Sequence, residues 1–131
     1  MTNFVKAGEF MTSFEQEVKT EPSFPDEKTV RLRIKLIDEE FLEFIDACHN
    51  KDLVGVADAL TDLLYVIYGA GHSFGVDLDK CYEEVHSSNM SKLGPDGKPL
   101  KRPDGKVMKS ANYRPPNLEQ ILFCDKIKAS V

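Results

Sequence analysis

Apolar residues recur at helical spacing along most of this chain, and where that spacing stops, glycine and proline take over. Phe10, Phe14 and Val18 fall at i, i+4 and i+8, which predicts a first helix over residues 3–19 with one apolar stripe. Pro22 and Pro25 cannot continue it, and Ser23 or Asp26 could cap the next helix. That second helix is predicted over about residues 28–50. Ile34, Ile37, Phe41, Phe44, Ile45 and Cys48 gather on one side of it, and Arg33, Leu36, Glu40, Glu43 and Ala47 line another, with Glu39 and Asp46 at the edge. His49 to Asp52 form a short turn, so a third helix over about residues 53–70 should return antiparallel, stopped by Gly69, Gly71 and Gly75. It is apolar almost all round, as expected of a helix in the interior of its fold.

Asp77 could cap a fourth helix over about residues 78–92, with Leu78, Cys81, Tyr82 and Val85 as its apolar face. The same stripe continues through Asn89 and Lys92, which should then point toward the bundle. Residues 94–117 differ in kind. Pro95-Asp96-Gly97-Lys98 and Pro103-Asp104-Gly105-Lys106 are two turn signals, with room for short strands near Leu100 and Val107-Met108. A last helix could start after an Asn117 cap and run from Leu118 to Ile127. The pattern predicts an all-α bundle of four to five helices with a Gly/Pro-rich C-terminal tail. Residues 1–131 form one domain: a helical core over about 3–92, a basic turn-rich tail over 93–117 and a short helix over about 118–128.

Against that pattern, the positions of Asp58 and Asp62 carry the most information. They lie one turn apart in the most apolar helix, and buried carboxylates are costly unless something cationic meets them. Glu39, Glu40 and Glu43 lie on the helix just upstream. Glu40 and Glu43 share a helix face, as do Asp58 and Asp62 on the facing helix, so the two pairs could grip one cation. Hard oxygen donors suit Mg²⁺ or Mn²⁺ and not zinc, and magnesium commonly bridges substrate phosphates. Glu39, at the edge of the face, could deprotonate an attacking water. The bland alternatives are a solvated acidic face for the glutamates and, for the aspartates, a buried pair neutralised by Arg33 or a lysine.

Charge is unevenly spread: residues 1–91 hold eight Lys/Arg against 18 Asp/Glu, whereas 92–114 hold seven against two. An acidic body argues against general nucleic-acid binding, and the basic segment could meet one compact anion or simply neutralise that body. Its candidates are Asn89, Lys92, Lys101, Arg102, Lys109, Tyr113 and Arg114, each with a plain structural alternative. His49, His72 and His86 have no mutual metal spacing, and His49 and His72 are expected to be structural. Cys48, Cys81 and Cys124 show no CxxC pairing and are expected to be reduced, partly buried thiols. The start of the chain has no signal-peptide pattern, and the longest apolar stretch, broken by Asp58 and Asp62, is expected to be too short to span a bilayer. The expected location is the cytoplasm, or the host cytoplasm for a phage-encoded protein.

These motifs resemble those of the all-α nucleoside triphosphate pyrophosphohydrolases, the superfamily of MazG, dimeric dUTPase and phosphoribosyl-ATP pyrophosphohydrolase. Its signature is ExxE, a gap, then ExxD. Glu40-x-x-Glu43 matches the first half and Asp62 the last position, while Ala59 stands where the second half should begin and Asp58 plausibly substitutes. Arg31 to Glu40, Ala57 to Tyr65, Ser88 to Lys92, and the tail from Asp104 to Lys109 and Asn112 to Pro116 look like a small MazG-like subgroup of phages and bacteria. The resemblance covers about residues 10–118. It implies a helical protomer assembled as a homodimer or dimer of dimers, with no nucleic acid or membrane partner. The implied reaction is Mg²⁺- or Mn²⁺-dependent hydrolysis of nucleoside triphosphates between the α and β phosphates, giving a monophosphate and pyrophosphate.

By resemblance, Glu40, Glu43 and Asp62 would be metal ligands with Asp58 as a fourth. Glu39 and Glu40 would be the catalytic carboxylates, and Arg33, Asn89, Lys92, Lys109 and Tyr113 would hold the substrate. One branch, MazZ, prefers (d)GTP, so dGTP or GTP is the first expectation. Pyrimidine triphosphates such as dUTP or dCTP are the alternative, and a non-catalytic helical dimer is the rival from another class. Phe10, Phe14 and Phe24 could supply a stacking wall for the base.

Overall fold

The computed structural model describes residues 1–129, with side chains through Phe123; the side chain of Cys124 lies outside the described residues. The described elements are α1 (Asn3–Ser13), α2 (Glu27–His49), α3 (Leu53–Phe74), α4 (Leu78–Met90), β1 (Leu100–Lys101), β2 (Val107–Met108) and α5 (Leu118–Ala129). The protein is mostly helical, as its sequence pattern predicts, and its only described strands are one two-residue antiparallel ladder that pairs Leu100 with Met108 and Lys101 with Val107. The chain divides into two compact units, residues 1–78 and 79–131.

In the first unit α3 packs against both α1 and α2. Thr2 caps α1 at the Val5 amide. The helix ends near Ser13, not at 19. Glu15 turns left-handed at φ 61°, and the Gln16 amide donates back to the Met11 carbonyl at 2.8 Å, closing the last turn. Val18 therefore lies outside the helix whose stripe it was expected to extend. The segment after this turn runs along the end of α3: the Lys19 amide donates to the His72 carbonyl at 3.0 Å and the Ser23 amide to the Phe74 carbonyl at 2.9 Å. Asp26, not Ser23, caps α2 through the Thr29 amide at 2.8 Å.

The α2–α3 hairpin turns tightly at His49–Asp52, with Lys51 left-handed at φ 50° and Asp52 capping α3 at the Gly55 amide. The two helices come close there: a Cβ on Gly55 would sit 3.2 Å from that of Ala47. α2 presents Glu40 and Glu43 to Asp62 on α3. Ile34 is 63 % exposed and Phe41 and Leu42 are about half exposed, whereas Arg33 and Ala47 are buried. The carboxylate-bearing side is the one drawn inward.

α3 runs four residues past its expected stop. Gly69 and Gly71 lie inside it as packing positions, and only Gly75, at φ 68°, ends it. At 22 residues α3 is by length and composition long and apolar enough to cross a membrane, contrary to the expectation from sequence. It is also not interior to the protomer, since Leu53 is 80 % and Val54 81 % exposed, and Leu60 and Leu64 are about half exposed. His72 is structural, as expected. It stacks on Phe4 with ring centroids 3.9 Å apart, and its Nε2 donates to the Phe4 carbonyl at 2.7 Å.

In the second unit α4 buries Cys81 and Ser88, while Tyr82 and Asn89, expected on the inner stripe, are exposed. The tail is fastened to α4. Arg114 makes a two-pronged pair with Glu84 at 2.9 and 3.1 Å, Ser88 Oγ donates to the Arg114 carbonyl, and the Asn117 amide reaches Glu84 at 2.7 Å. These bonds hold the Glu84 carboxyl below its ordinary range. Asn117 caps α5 at the Gln120 amide, and Cys48 is exposed.

Gly75 is the position least able to accept a side chain, because a Cβ there would collide with the Glu21 carbonyl. Its left-handed backbone alone costs a non-glycine residue about 1–2 kcal/mol. Gly97 is also left-handed but has open space around it. Gly75→Ala should therefore lower the urea midpoint well beyond the effect of Gly97→Ala, and equal losses would contradict this account.

Candidate metal and nucleotide site

The α2–α3 hairpin brings one oxygen each of Glu40, Glu43 and Asp62 within 4.8 Å of one another. Glu40 and Glu43 are three residues apart on one helix, and Asp62 arrives from the antiparallel partner. None of the ion pairs among the described residues involves Glu40, Glu43, Asp58 or Asp62. Arg33 does not neutralise the aspartates. It donates instead to Ser73 Oγ through Nε at 2.9 Å and to Gln16 Oε1 through Nη2 at 3.2 Å.

Three like charges drawn together out of full solvation favour protonation. Burial first, then a shared hydrogen bond with Glu43 and the charges of Glu43, Asp62 and Asp58, push the Glu40 carboxyl up from its ordinary value. Burial and then the charges of Asp58 and Glu43 do the same to Asp62. Glu40 Oε2 is buried and has no hydrogen-bond partner. An orphaned carboxylate oxygen inside a cluster of three oxygen donors is what a hard divalent cation would satisfy, so these residues fit Mg²⁺ or Mn²⁺.

Other residues expected at the site fall in several places. Asp58 is exposed at the flank, close enough to raise both Glu40 and Asp62 electrostatically but outside the three-residue group. Ala59, at the position where the signature would have an acid, is buried and supplies no oxygen. Glu39 is exposed and makes only a long 4.0 Å contact with Lys35. Asn89, Lys92, Lys109 and Tyr113 belong to the second unit. There Lys109 Nζ lies 4.7 Å over the Tyr113 ring, Lys92 is half-buried and Asn89 is exposed. Arg114 is committed to Glu84, and Arg102 pairs with Asp104 at 2.8 Å.

Sequence reasoning did not single out Gln16 or Gly69. With Arg33, Phe10, Leu36 and Tyr65 they line a cavity of about 150 Å³, all within the first unit. Gly69 carried a detectable signal, a glycine inside an otherwise unbroken apolar helix, but it passes for a helix stop.

Residues 7–89 match the family model of phosphoribosyl-ATP pyrophosphohydrolase. Over 82 residues the chain is 42% identical to an uncharacterized protein of Acanthamoeba polyphaga mimivirus; the match covers 60% of this chain and 33% of that protein. The chain thus spans about a third of the length of this curated relative. A crystal structure of a candidate NTP pyrophosphohydrolase from Exiguobacterium sp. 255-15 aligns with a TM-score of 0.52 at 25% identity, covering 99% of each chain.

Raising the carboxyls of Glu40 and Asp62 affects stability in a definite direction. Protons bind them more tightly in the folded than in the unfolded chain, so their stabilising contribution is present at low pH and is lost as pH rises through the raised values. In metal-free buffer at pH 7.5, Glu40→Gln should raise the melting temperature, with the gap narrowing as pH falls toward the ordinary glutamate value of 4.5. Mg²⁺ should raise the melting temperature of the wild type and leave the variant nearly unmoved. Equal stabilisation of both proteins by Mg²⁺ would count against the cation site.

Proposed function

The chain belongs to the phosphoribosyl-ATP pyrophosphohydrolase family, and we propose that it hydrolyses nucleoside triphosphates between the α and β phosphates in a divalent-metal-dependent reaction. The observation that carries this is the convergence of Glu40, Glu43 and Asp62 with no ion pair to them among the described residues and with Glu40 Oε2 left unpartnered. Glu40, Glu43 and Asp62 would hold Mg²⁺ or Mn²⁺, with Asp58 beside them adding negative field. The ion would supply charge for the triphosphate oxygens and a more acidic water.

Glu39 stands one residue from the cluster with a carboxylate that is only loosely engaged. It serves as the base that takes a proton from the attacking water. The water oxygen bonds to the α phosphorus, the bond to the bridging oxygen breaks, and pyrophosphate leaves. In the second unit Asn89, Lys92, Lys109 and Tyr113 are separate candidates for binding a phosphate or a sugar hydroxyl. Purine triphosphates, dGTP or GTP first, are the preferred substrates, and the protein works on the cytoplasmic nucleotide pool.

The apolar residues left exposed support self-association. Ile34, Phe41 and Leu42 on α2 and Leu53, Val54, Leu60 and Leu64 on α3 form more open apolar surface than two helices of a monomer usually carry. A homodimer or dimer of dimers covers this surface. Light scattering on the eluted protein should give twice or four times the mass of 14.8 kDa, and a monomer mass at micromolar concentration would exclude it.

Incubating the protein with each common dNTP and NTP plus Mg²⁺, and measuring pyrophosphate, tests the reaction. We expect release from dGTP or GTP above the other nucleotides, and a loss of about 100-fold or more in Glu43→Ala and Asp62→Ala with helicity retained, the scale set by removing a group that stabilises transition-state charge. A leading rate on dUTP or dCTP would move the assignment to pyrimidines. Undiminished turnover in both variants would remove these carboxylates from the mechanism.

A further inference from the structure

Arg33 is a buried cation with no counter-charge among the described residues. It is 8 % exposed, and none of the ion pairs among the described residues includes it. Burying a guanidinium is costly unless its N–H groups find acceptors. Here Nε is used by Ser73 and one N–H of Nη2 by Gln16, with Met11 Sδ at 3.9 Å from the same nitrogen. Among the described residues the hydrogen bonds of Arg33 run through Nε and Nη2, while Nη1 lies against Gly69 so closely that a Cβ there would be 2.7 Å away. The helix thus gives up a side chain at residue 69 where the guanidinium rests.

Arg33 and Gln16 are shared by two neighbouring cavities, the one of about 150 Å³ described above and a wider one of about 500 Å³. The smaller is walled by Phe10 and Tyr65, whose rings meet edge to face at 5.6 Å, and by Leu36 and Val66. Such walls suit a flat heterocycle better than a phosphate. Its place along the hairpin is also informative. Leu36 lies one turn before Glu40 on α2, and Tyr65 and Val66 lie one turn after Asp62 on antiparallel α3. Arg33 is seven residues from Glu40, roughly 10 Å by helical rise. That is comparable to the reach from an α phosphate to the far edge of its base.

We propose that Arg33 and Gln16 form the base-reading end of the nucleotide site and donate hydrogen bonds to a ring carbonyl, selecting bases that carry an oxo group over those that carry an amino group in its place. The chemistry of the donor set makes the choice. Arginine has no acceptor, and Gln16 Oε1 already accepts from Arg33 while its amide NH₂ adds two donors, so donors outnumber acceptors at this end of the site. A carbonyl of hypoxanthine, guanine or uracil satisfies these donors. The exocyclic amino group of adenine or cytosine sets its N–H groups against the Arg33 N–H groups, which have no acceptor to answer them. This inference rests on the carboxylate cluster being the triphosphate end of the same site.

The test pairs nucleotides that differ at that one group: dITP with dATP, and dUTP with dCTP. Calorimetric affinities of their non-hydrolysable α,β-imido analogues are measured alongside initial rates of the parent compounds, all with Mg²⁺. In the wild type the oxo member of each pair should bind roughly tenfold or more tightly. Arg33→Met should bring each pair within about twofold. Gln16→Glu should do the same, because its carboxylate would take the free Arg33 N–H groups, and since Gln16 is exposed this variant should fold even where Arg33→Met does not. Equal affinities within the wild-type pairs, or a preference that persists in folded Gln16→Glu, would overturn the inference. Oxo-selective binding without any hydrolysis would leave it standing and sink the proposed reaction. Hydrolysis that ignores the oxo group would do the reverse.

Discussion

Mutual repulsion among the Glu40, Glu43 and Asp62 carboxylates is the constraint around which the first unit is organised. A tight turn at His49–Asp52 and small residues at Ala47 and Gly55 hold α2 against α3, and that approach forces the three carboxylates together. Left alone, such an arrangement opposes folding at neutral pH, because each ionised group raises the cost of ionising the next. A helix pair optimised only for stability would place arginine or an apolar residue there. A divalent cation shared among the oxygens would offset that repulsion, so in the proposed reaction the stability of the hairpin would depend on the ion.

The departure at Ala59 has a physical meaning beside this cluster. The signature's acid would start from a position that is only 2 % exposed. Asp58, one position earlier, sits on the exposed flank and can contribute field without being buried. Asp58 thus adds its charge beside Glu40, Glu43 and Asp62 from an open position, whereas position 59 is packed.

How much of this was legible in the sequence depended on whether local rules decided the outcome. The turn at His49–Asp52, the Asp26 and Asn117 caps, the paired Pro-Asp-Gly turns and the spacing of Glu40, Glu43 and Asp62 all arise from local chemistry, and they were readable. The end of α1 was not, because it is set by a left-handed Glu15 and a bond from Gln16 to Met11 that no residue type announces. On α2 the spacing of Glu40 and Glu43 opposite Asp62 already placed the carboxylate side toward α3, whereas the open position of Ile34 and Phe41 was not legible, because amphipathicity alone favours covering the more apolar side. The partners of Arg33 come from residues 17 and 40 positions away, a distance over which periodicity carries no information.

α3 shows why one helix could give conflicting signals. Its apolar composition satisfies the requirement for an interior helix, yet Leu53 and Val54 are largely exposed. Gly69 and Gly71 look like stops, yet they lie in mid-helix where Arg33 and the Leu78 and Phe4 side chains press against the backbone. Asp58 and Asp62 look like errors in a core and instead face acidic company. Each conflict disappears when the helix is assigned three different surroundings around its circumference: α2 with its carboxylates and the buried Arg33 guanidinium, α1 with Phe4 and Met11, and an apolar remainder that stays open in the protomer. A helix with three such surroundings needs few solvated positions, which is why its sequence alone reads as though it were buried all round.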